Sequence, residues 1–145
     1  MSDASGEHDV ATVEAFRAAQ NAGDVEGCLR LLAPDALFDI GTGRFEGVRR
    51  IATLLRLLAR IHYTTTGEPA QPGEDGVLTA AWTVRHDDLR RNGLGELEVS
   101  AEIRVAGGAI RLLRTRATPE TLERLRERSG GGEGYGEDEP LGRDP

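Results

Sequence analysis

Apolar residues recur with helical spacing through the first sixty residues of the chain. A stripe from Val10 to Ala22 predicts a first helix over about 9–22. Gly23-Asp24 ends this helix and caps a short apolar second helix, which ends before Pro34. A strand is predicted over 36–40 and a turn over 41–44, and Phe45-Glu-Gly leads into a third, amphipathic helix.

The apolar period changes to two after this third helix, which predicts strands. They are expected at about 61–68, 77–85, 96–105 and 109–117, with a turn at 69–76, an insertion at 87–95 and a hairpin at Gly107-Gly108. Thr118-Pro119-Glu120 then predicts the start of a short helix that runs to about 128. The predicted domain is therefore 9–128, flanked by a disordered segment 1–8 and a disordered, acidic, Gly-rich tail 129–145.

Charge and cysteine content narrow the function classes. The net charge of −7 disfavours a nucleic-acid partner, although all 18 basic residues are arginine. No apolar run of about 20 residues and no signal peptide are present, so a cytoplasmic location without a membrane partner is expected. Cys28 is the only cysteine and has mostly apolar neighbours, which indicates a buried, inert thiol. The three histidines show no metal-ligand spacing, so neither a metal nor another cofactor is predicted.

Four local motifs, taken in order, resemble the nuclear transport factor 2-like superfamily over about residues 9–128. They are Phe16-x6-Gly23-Asp24, Ala33-Pro-Asp-Ala36, Phe45-Glu-Gly-x3-Ile51 and Gly108-Ala-Ile110. The chain looks most like the SnoaL-like polyketide cyclase and uncharacterised actinobacterial branch. The resemblance implies a cone-shaped α+β (cystatin-like) fold, with three N-terminal helices packed on a curved, mostly antiparallel sheet, a short C-terminal helix, a dry interior pocket and a homodimer.

Relatives of ketosteroid isomerase use three polar groups that this chain lacks. The motif spacing gives Phe16 at the position of their tyrosine, Ile40 at that of their base and Ala101 at that of their late aspartate. Asp39 lies one residue from the base position and is expected on the opposite face of its strand. Isomerisation by that mechanism is therefore not expected.

Arg85-His86-Asp87 resembles the Arg-x-Asp pair of limonene-type epoxide hydrolases, and alternation puts Arg85 and Asp87 on the same side of the strand. The second aspartate of that mechanism, like the acid of SnoaL-type cyclases, corresponds to Thr115. Structural alternatives stay open. Asp87 or Asp88 can cap a short turn, and Arg85 can pair with Glu98 or Glu102.

The pattern does not decide which face of strand 77–87 lines the pocket. If Trp82 and Val84 point inward, His86 does too and becomes the polar group there, while Arg85 and Asp87 lie outside. His62 and Tyr63 carry the same ambiguity. The candidate catalytic residues are therefore Arg85, His86 and Asp87. The candidate substrate-binding residues are Phe16, Phe38, Ile40, Tyr63, Trp82, Ala101, Ile103, Leu113 and Thr115.

Two function classes follow from these observations. The first is a cofactor-free enzyme that acts on an apolar small molecule by cyclisation, isomerisation, epoxide opening or dehydration. The second is a non-catalytic module of the same fold that binds a hydrophobic ligand or another protein, motivated by the missing family acids.

Overall fold

A computed structural model describes residues 2–41 and 43–128 as five helices and a seven-stranded sheet. The helices are α1 (Ser2–Asn21), α2 (Val25–Leu29), α3 (Val48–Arg60), α4 (Asp87–Arg91) and α5 (Pro119–Arg128). The strands are β1 (Leu32–Ile40), β2 (Gly43–Glu46), β3 (Thr64–Thr66), β4 (Gln71–Pro72), β5 (Val77–Arg85), β6 (Leu97–Ala106) and β7 (Ala109–Ala117). None of the helices in these ranges is long and apolar enough to cross a membrane.

The sheet is mixed, with the order β2-β1-β7-β6-β5-β3, and β4 pairs with the β5 strand as well. Only the β1–β7 pair is parallel; the others are antiparallel. Helix α1 contacts strands β3, β4, β6 and β7, while α3 packs against β1 and β2. The predicted α+β architecture, with N-terminal helices on a mostly antiparallel curved sheet, is confirmed.

The core forms where the apolar faces of α1, α3 and the sheet meet. Helix α3 buries Ile51, Ala52, Leu54 and Leu55 on one side, in agreement with its amphipathic pattern. The start of α2 is fixed by Asp24, whose carboxylate accepts a hydrogen bond from the Gly27 amide at 3.0 Å.

Strand β3 lies at the edge of the sheet, and α1 protects its exposed backbone. The Asn21 side-chain amide donates to the Thr65 carbonyl at 2.8 Å, and its oxygen accepts from the Thr65 amide at 2.9 Å. Because an open edge offers unpaired donors and acceptors to other chains, these two bonds close part of it.

The structure differs from the predicted elements at several places. Strand β1 begins at Leu32 rather than at residue 36, β3 covers only Thr64–Thr66 of the predicted 61–68, and the predicted turn at 69–76 contains the short strand β4. Helix α1 begins at Ser2 rather than at about residue 9, and its Gly6 lies against the Pro72 side chain of β4. Strand β2 replaces part of the predicted turn, pairing Phe45 with Phe38. The insertion after β5 contains a helical turn, α4, capped by His86 rather than by an aspartate.

Three boundaries at the end of the domain agree with the sequence analysis. Strands β5 and β7 have the predicted limits, and α5 begins after Thr118, whose hydroxyl accepts from the Thr121 amide at 3.2 Å. The predicted disordered tail, 129–145, lies outside the described residues.

Candidate functional site

The topology brings the ends of five strands together at one end of the sheet. Since β1 and β7 are parallel and their neighbours antiparallel, the carboxyl ends of β1, β5 and β7 lie beside the amino ends of β3 and β6. The inward-facing side chains at these ends are partly accessible to solvent, in contrast to the deeper core. We call this set the strand-end rim: Ile40, Tyr63, His86, Leu97 and Thr115.

Burial along β5 decides which of its faces points inward. Trp82 and Val84 are buried in the core, whereas Arg85 is exposed, so the even-numbered positions face inward and His86 follows them. The sequence left open which face of β5 points inward; in the structure, His86 lies on the inner side and Arg85 on the outer side.

The structure does not bring Arg85 and Asp87 together. The Arg85 guanidinium bonds to Glu96 at 2.7 Å on the outer face, rather than to Glu98 or Glu102. The Asp87 carboxylate accepts from His62 Nδ1 at 2.8 Å and also pairs with Arg90. These contacts lower the pKa of Asp87, the hydrogen bond from His62 being the main cause. Both candidate residues therefore have other partners.

Tyr63 and His86 form the polar part of the rim. Their rings stack, with centroids 5.8 Å apart and planes inclined by 14°. Burial raises the pKa of Tyr63 to about 12. Burial is also the main cause that lowers the pKa of His86, against the opposing charges of Asp88 and Asp87. Both side chains are thus held in their neutral forms near pH 7.

The hydrogen bonding of His86 defines which of its ring nitrogens carries the proton. The Leu89 amide donates to the His86 carbonyl at 3.1 Å and also to its Nδ1 at 3.4 Å, which favours the neutral tautomer with the proton on Nε2. Within the part of the chain that the structure describes, neither His86 Nε2 nor the Tyr63 hydroxyl has a hydrogen-bond partner. Two donors are therefore left for a ligand.

A buried arginine lies on the inner face of β5, further from the rim. The Arg17 guanidinium is 4.6 Å from the centroid of the Trp82 ring, and Arg17 is 6% exposed. It also donates to the Thr65 hydroxyl at 3.1 Å and to the Glu14 carboxylate at 3.0 Å. Trp82 Nε1 is buried without a hydrogen-bond partner among the described residues. The arginine and the tryptophan form one side of the core between α1 and β5.

The predicted pocket lining is for the most part closed core. Phe16 and Phe38 meet edge to face with centroids 5.7 Å apart, and their exposures are 3% and 2%. Ala101, Ile103 and Leu113 are buried as well. Surfaces that line an open cavity would remain accessible to water, so these side chains contact one another instead. These predicted lining residues therefore have little accessible surface, whereas Ile40, Tyr63 and Thr115 of the predicted lining are partly accessible.

A recess between the first three helices offers little room. Its volume is about 10 Å³, enough for one water molecule, and it lies where α1, α2 and α3 meet. Cys28 lies here, and burial, together with the charge of Asp24, raises its pKa to about 12. The thiol is therefore unreactive in the folded protein. The recess is lined by Gln20, Gly23, Asp24, Val25, Cys28, Leu55 and Ala59.

The outer face of the sheet carries a charge network. Asp39 faces outward, as predicted, and its carboxylate accepts from Arg114 at 3.2 Å and from Arg116 at 3.1 Å. The hydrogen bond from Arg116 is the main cause that lowers the pKa of Asp39. Arg114 extends the network to Glu102. In residues 2–41 and 43–128, no cluster of three or more His, Cys, Asp or Glu side chains could hold a metal ion.

Comparisons with known proteins agree with the fold. A Mycobacterium tuberculosis limonene epoxide hydrolase-like epoxide hydrolase is 21% identical, with a TM-score of 0.68 over 84% of this chain and 92% of that one. A putative polyketide cyclase from Sinorhizobium meliloti is 16% identical, with a TM-score of 0.63; the match covers 73% of this chain and 94% of the cyclase. A protein of unknown function with a cystatin-like fold from Methylobium petroleophilum is 17% identical, with a TM-score of 0.65; the match covers 78% of this chain and 77% of that protein.

At the level of sequence, no curated protein matches the chain. The family model described as the SnoaL-like domain matches residues 13–113, which is more than half of the chain. This range contains the second half of α1, the first six strands and most of β7. The chain belongs to the SnoaL-like family, within the nuclear transport factor 2-like superfamily.

Proposed function

We propose that this SnoaL-like protein is a cofactor-free enzyme that binds an apolar small molecule at the strand-end rim. The observation that carries the proposal is the stacked Tyr63–His86 pair on the inner side of the sheet, with two hydrogen-bond donors that have no partner in the described residues. Apolar surface from Ile40 and Leu97 borders the same rim. Such a mixture of apolar walls and few polar groups is typical of small-molecule sites.

The chemistry of the proposed site depends on His86. With its pKa lowered and Nδ1 occupied by the Leu89 amide, the ring donates through Nε2 to an oxygen of the substrate. The Tyr63 hydroxyl is protonated at neutral pH and donates too. Two neutral donors stabilise negative charge that develops on a carbonyl or hydroxyl oxygen, which suits isomerisation, cyclisation or dehydration.

Epoxide opening by an Arg-Asp-Asp arrangement fits the geometry less well. Arg85 points outward to Glu96, Asp87 pairs with His62, and the remaining acid position is Thr115. The similarity to an epoxide hydrolase is therefore support for the fold and for a small-molecule ligand, but not for that reaction.

Binding can be tested by NMR titration of the full chain with 2-acetonaphthone as an apolar ketone probe. We expect chemical-shift changes at Tyr63, His86 and Thr115, and weaker changes with 2-ethylnaphthalene, which lacks the oxygen acceptor. Tyr63→Phe should weaken binding of the ketone about five- to tenfold, since one hydrogen bond contributes about 1 kcal/mol. His62→Gln, at an exposed histidine outside the rim, is the control and should have no effect. Shift changes that avoid the rim would contradict the proposal.

The second candidate function is binding without turnover. It is favoured by the non-ionisable residues Ile40, Ala101 and Thr115 at positions where relatives have acids. For a substrate found by native mass spectrometry of freshly purified protein, His86→Gln distinguishes the two functions. Loss of turnover of at least a hundredfold with retained binding supports catalysis. No turnover by the unaltered protein, with binding that depends on Tyr63, supports the binding module.

A further inference from the structure

The outward face of α3 carries an arginine surface, which we define as Arg49, Arg50, Arg56, Arg60 and the neighbouring Leu57. At 100° per residue these positions fall within a third of the helix circumference, opposite the buried Ile51, Leu54 and Leu55. The four arginines are exposed, and Leu57 is 49% exposed. With a rise of about 1.5 Å per residue, the surface is about 16 Å long.

These four guanidinium groups have no partner in the part of the chain that the structure describes. None of them takes part in an ion pair or a side-chain hydrogen bond there. Several other arginines are engaged, as in the Arg85–Glu96 and Arg114–Asp39 pairs. The chain as a whole has a net charge of −7, so an unpaired basic surface stands out against its surroundings.

We propose that the acidic segment 133–144 of this same chain docks on the arginine surface of α3. The segment contains Glu133, Glu137, Asp138, Glu139 and Asp144 against a single arginine, Arg143, and it also offers the apolar Tyr135 and Leu141 for contact with Leu57. Charge complementarity therefore favours this occupant. An external polyanion such as a nucleic acid is repelled by the net charge of the protein.

The direction of α5 makes the docking sterically possible. Thr121 bonds to the Glu98 amide and Arg124 to the Glu96 carbonyl, so α5 runs toward the start of β6, which pairs with the end of β5. The end of α3 lies at the same end of the sheet, because the Asp87 amide donates to the Ile61 carbonyl at 2.9 Å. Residue 133 follows Arg128 by five positions, and an extended chain spans up to about 3.5 Å per residue. A tethered segment also has an effective concentration of about millimolar.

Paramagnetic relaxation enhancement in the full chain tests the docking. Cys28 is buried, so a nitroxide can be attached selectively to a cysteine introduced by Gly142→Cys. We expect the amide signals of 49–60 to lose at least half of their intensity at 20 mM salt and to recover at 500 mM. Arg56→Gln with Arg60→Gln should abolish the loss. Arg90→Gln with Arg91→Gln, which removes the same charge from already paired arginines, should not.

Three results would overturn the proposal. The first is signal loss on α3 no stronger than on the outer face of β6 and β7, and the second is a loss that neither salt nor the α3 substitutions change. The third comes from mixing isotope-labelled protein without nitroxide with unlabelled, spin-labelled protein: if α3 signals weaken only in this mixture, the occupant is a second copy.

Discussion

Asn21 and Thr65 are joined by two hydrogen bonds, so that a single α1 side chain pairs with both backbone groups of an edge-strand residue. The amide acts as a short continuation of the sheet and holds the first helix against β3. Strand β3 has only three residues, and it pairs with β5 on its other side. The edge of the sheet therefore depends on a residue far away in the sequence.

Asn21→Ala is expected to lower the free energy of unfolding by about 1–3 kcal/mol, because it removes two hydrogen bonds and leaves the Thr65 amide and carbonyl unpaired. Urea unfolding followed by circular dichroism measures the change. Asn92→Ala, at an exposed position after α4, is the matched control, with an expected loss below about 1 kcal/mol. Equal losses in the two variants would contradict the edge-closing role.

Arg17→Met is expected to destabilise the protein by about 1–3 kcal/mol, since it removes the cation–π contact with Trp82 and the bonds to Thr65 and Glu14. Trp82 is the only tryptophan, so its fluorescence emission should shift as well. Arg126→Met, at an exposed arginine of α5, should leave both stability and emission unchanged. An unaltered emission spectrum in Arg17→Met would argue against the contact.

The Asp39 network predicts a particular dependence of stability on pH. The pKa of the Asp39 carboxyl is lowered in the folded protein. Its contribution to the free energy of unfolding is therefore complete above the pKa of the unfolded state, about 3.9, and is lost as the pH falls through the pKa of the folded state. Asp39→Asn should therefore be less stable than the unaltered protein at pH 7. The difference between their urea midpoints should shrink below about pH 4. A difference that stays constant from pH 7 to pH 3 would refute this role.

Tyr63 should ionise at a higher pH than a free tyrosine in a spectrophotometric titration. Burial raises its pKa to about 12, against about 10 for a free tyrosine, so its contribution to stability is present below pH 10 and is lost as the pH rises toward 12. Tyr63→Phe should remove the step at high pH from the titration curve of absorbance at 295 nm. A curve that is the same for the variant and the unaltered protein above pH 11 would show that Tyr63 is accessible.

Cys28 should be unreactive in the folded state, because it is buried and its pKa is raised to about 12. With 5,5′-dithiobis(2-nitrobenzoic acid) at pH 8, we expect release of thionitrobenzoate at least a hundredfold slower from native protein than from protein in 6 M guanidinium chloride. Comparable rates would mean that the recess between the first three helices opens readily.

Local patterns in the sequence were sufficient for most of the fold. The limits of β5 and β7 follow from alternation, and the start of α5 follows from the Thr118 cap. Strand β2 was not predicted, because Arg44 and Phe45 form a strand only by pairing with β1. The start of α1 was also missed, since its contact with Pro72 joins residues distant in sequence.

The candidate site was harder to predict for the same reason. Alternation grouped His86 with Trp82 and Val84, but only packing shows that this group faces inward. The stacking of Tyr63 on His86 depends on two elements that meet across the corner after α3. No local pattern indicates that Arg17 is buried, because arginine is normally a surface residue and its partners are far away in the sequence.

The central position of the last strand has a consequence for how the protein is made. Strand β7 lies between β1 and β6, although it is the last strand in the part of the chain that the structure describes. Until residues 109–117 leave the ribosome, the β1–β2 pair has no link to the rest of the sheet, and the inward surfaces of Phe38 and Ile103 lack their common neighbour, Leu113. Nascent chains that lack residues 109–117 expose apolar, unpaired strand edges. Pauses in translation before these residues should therefore favour aggregation.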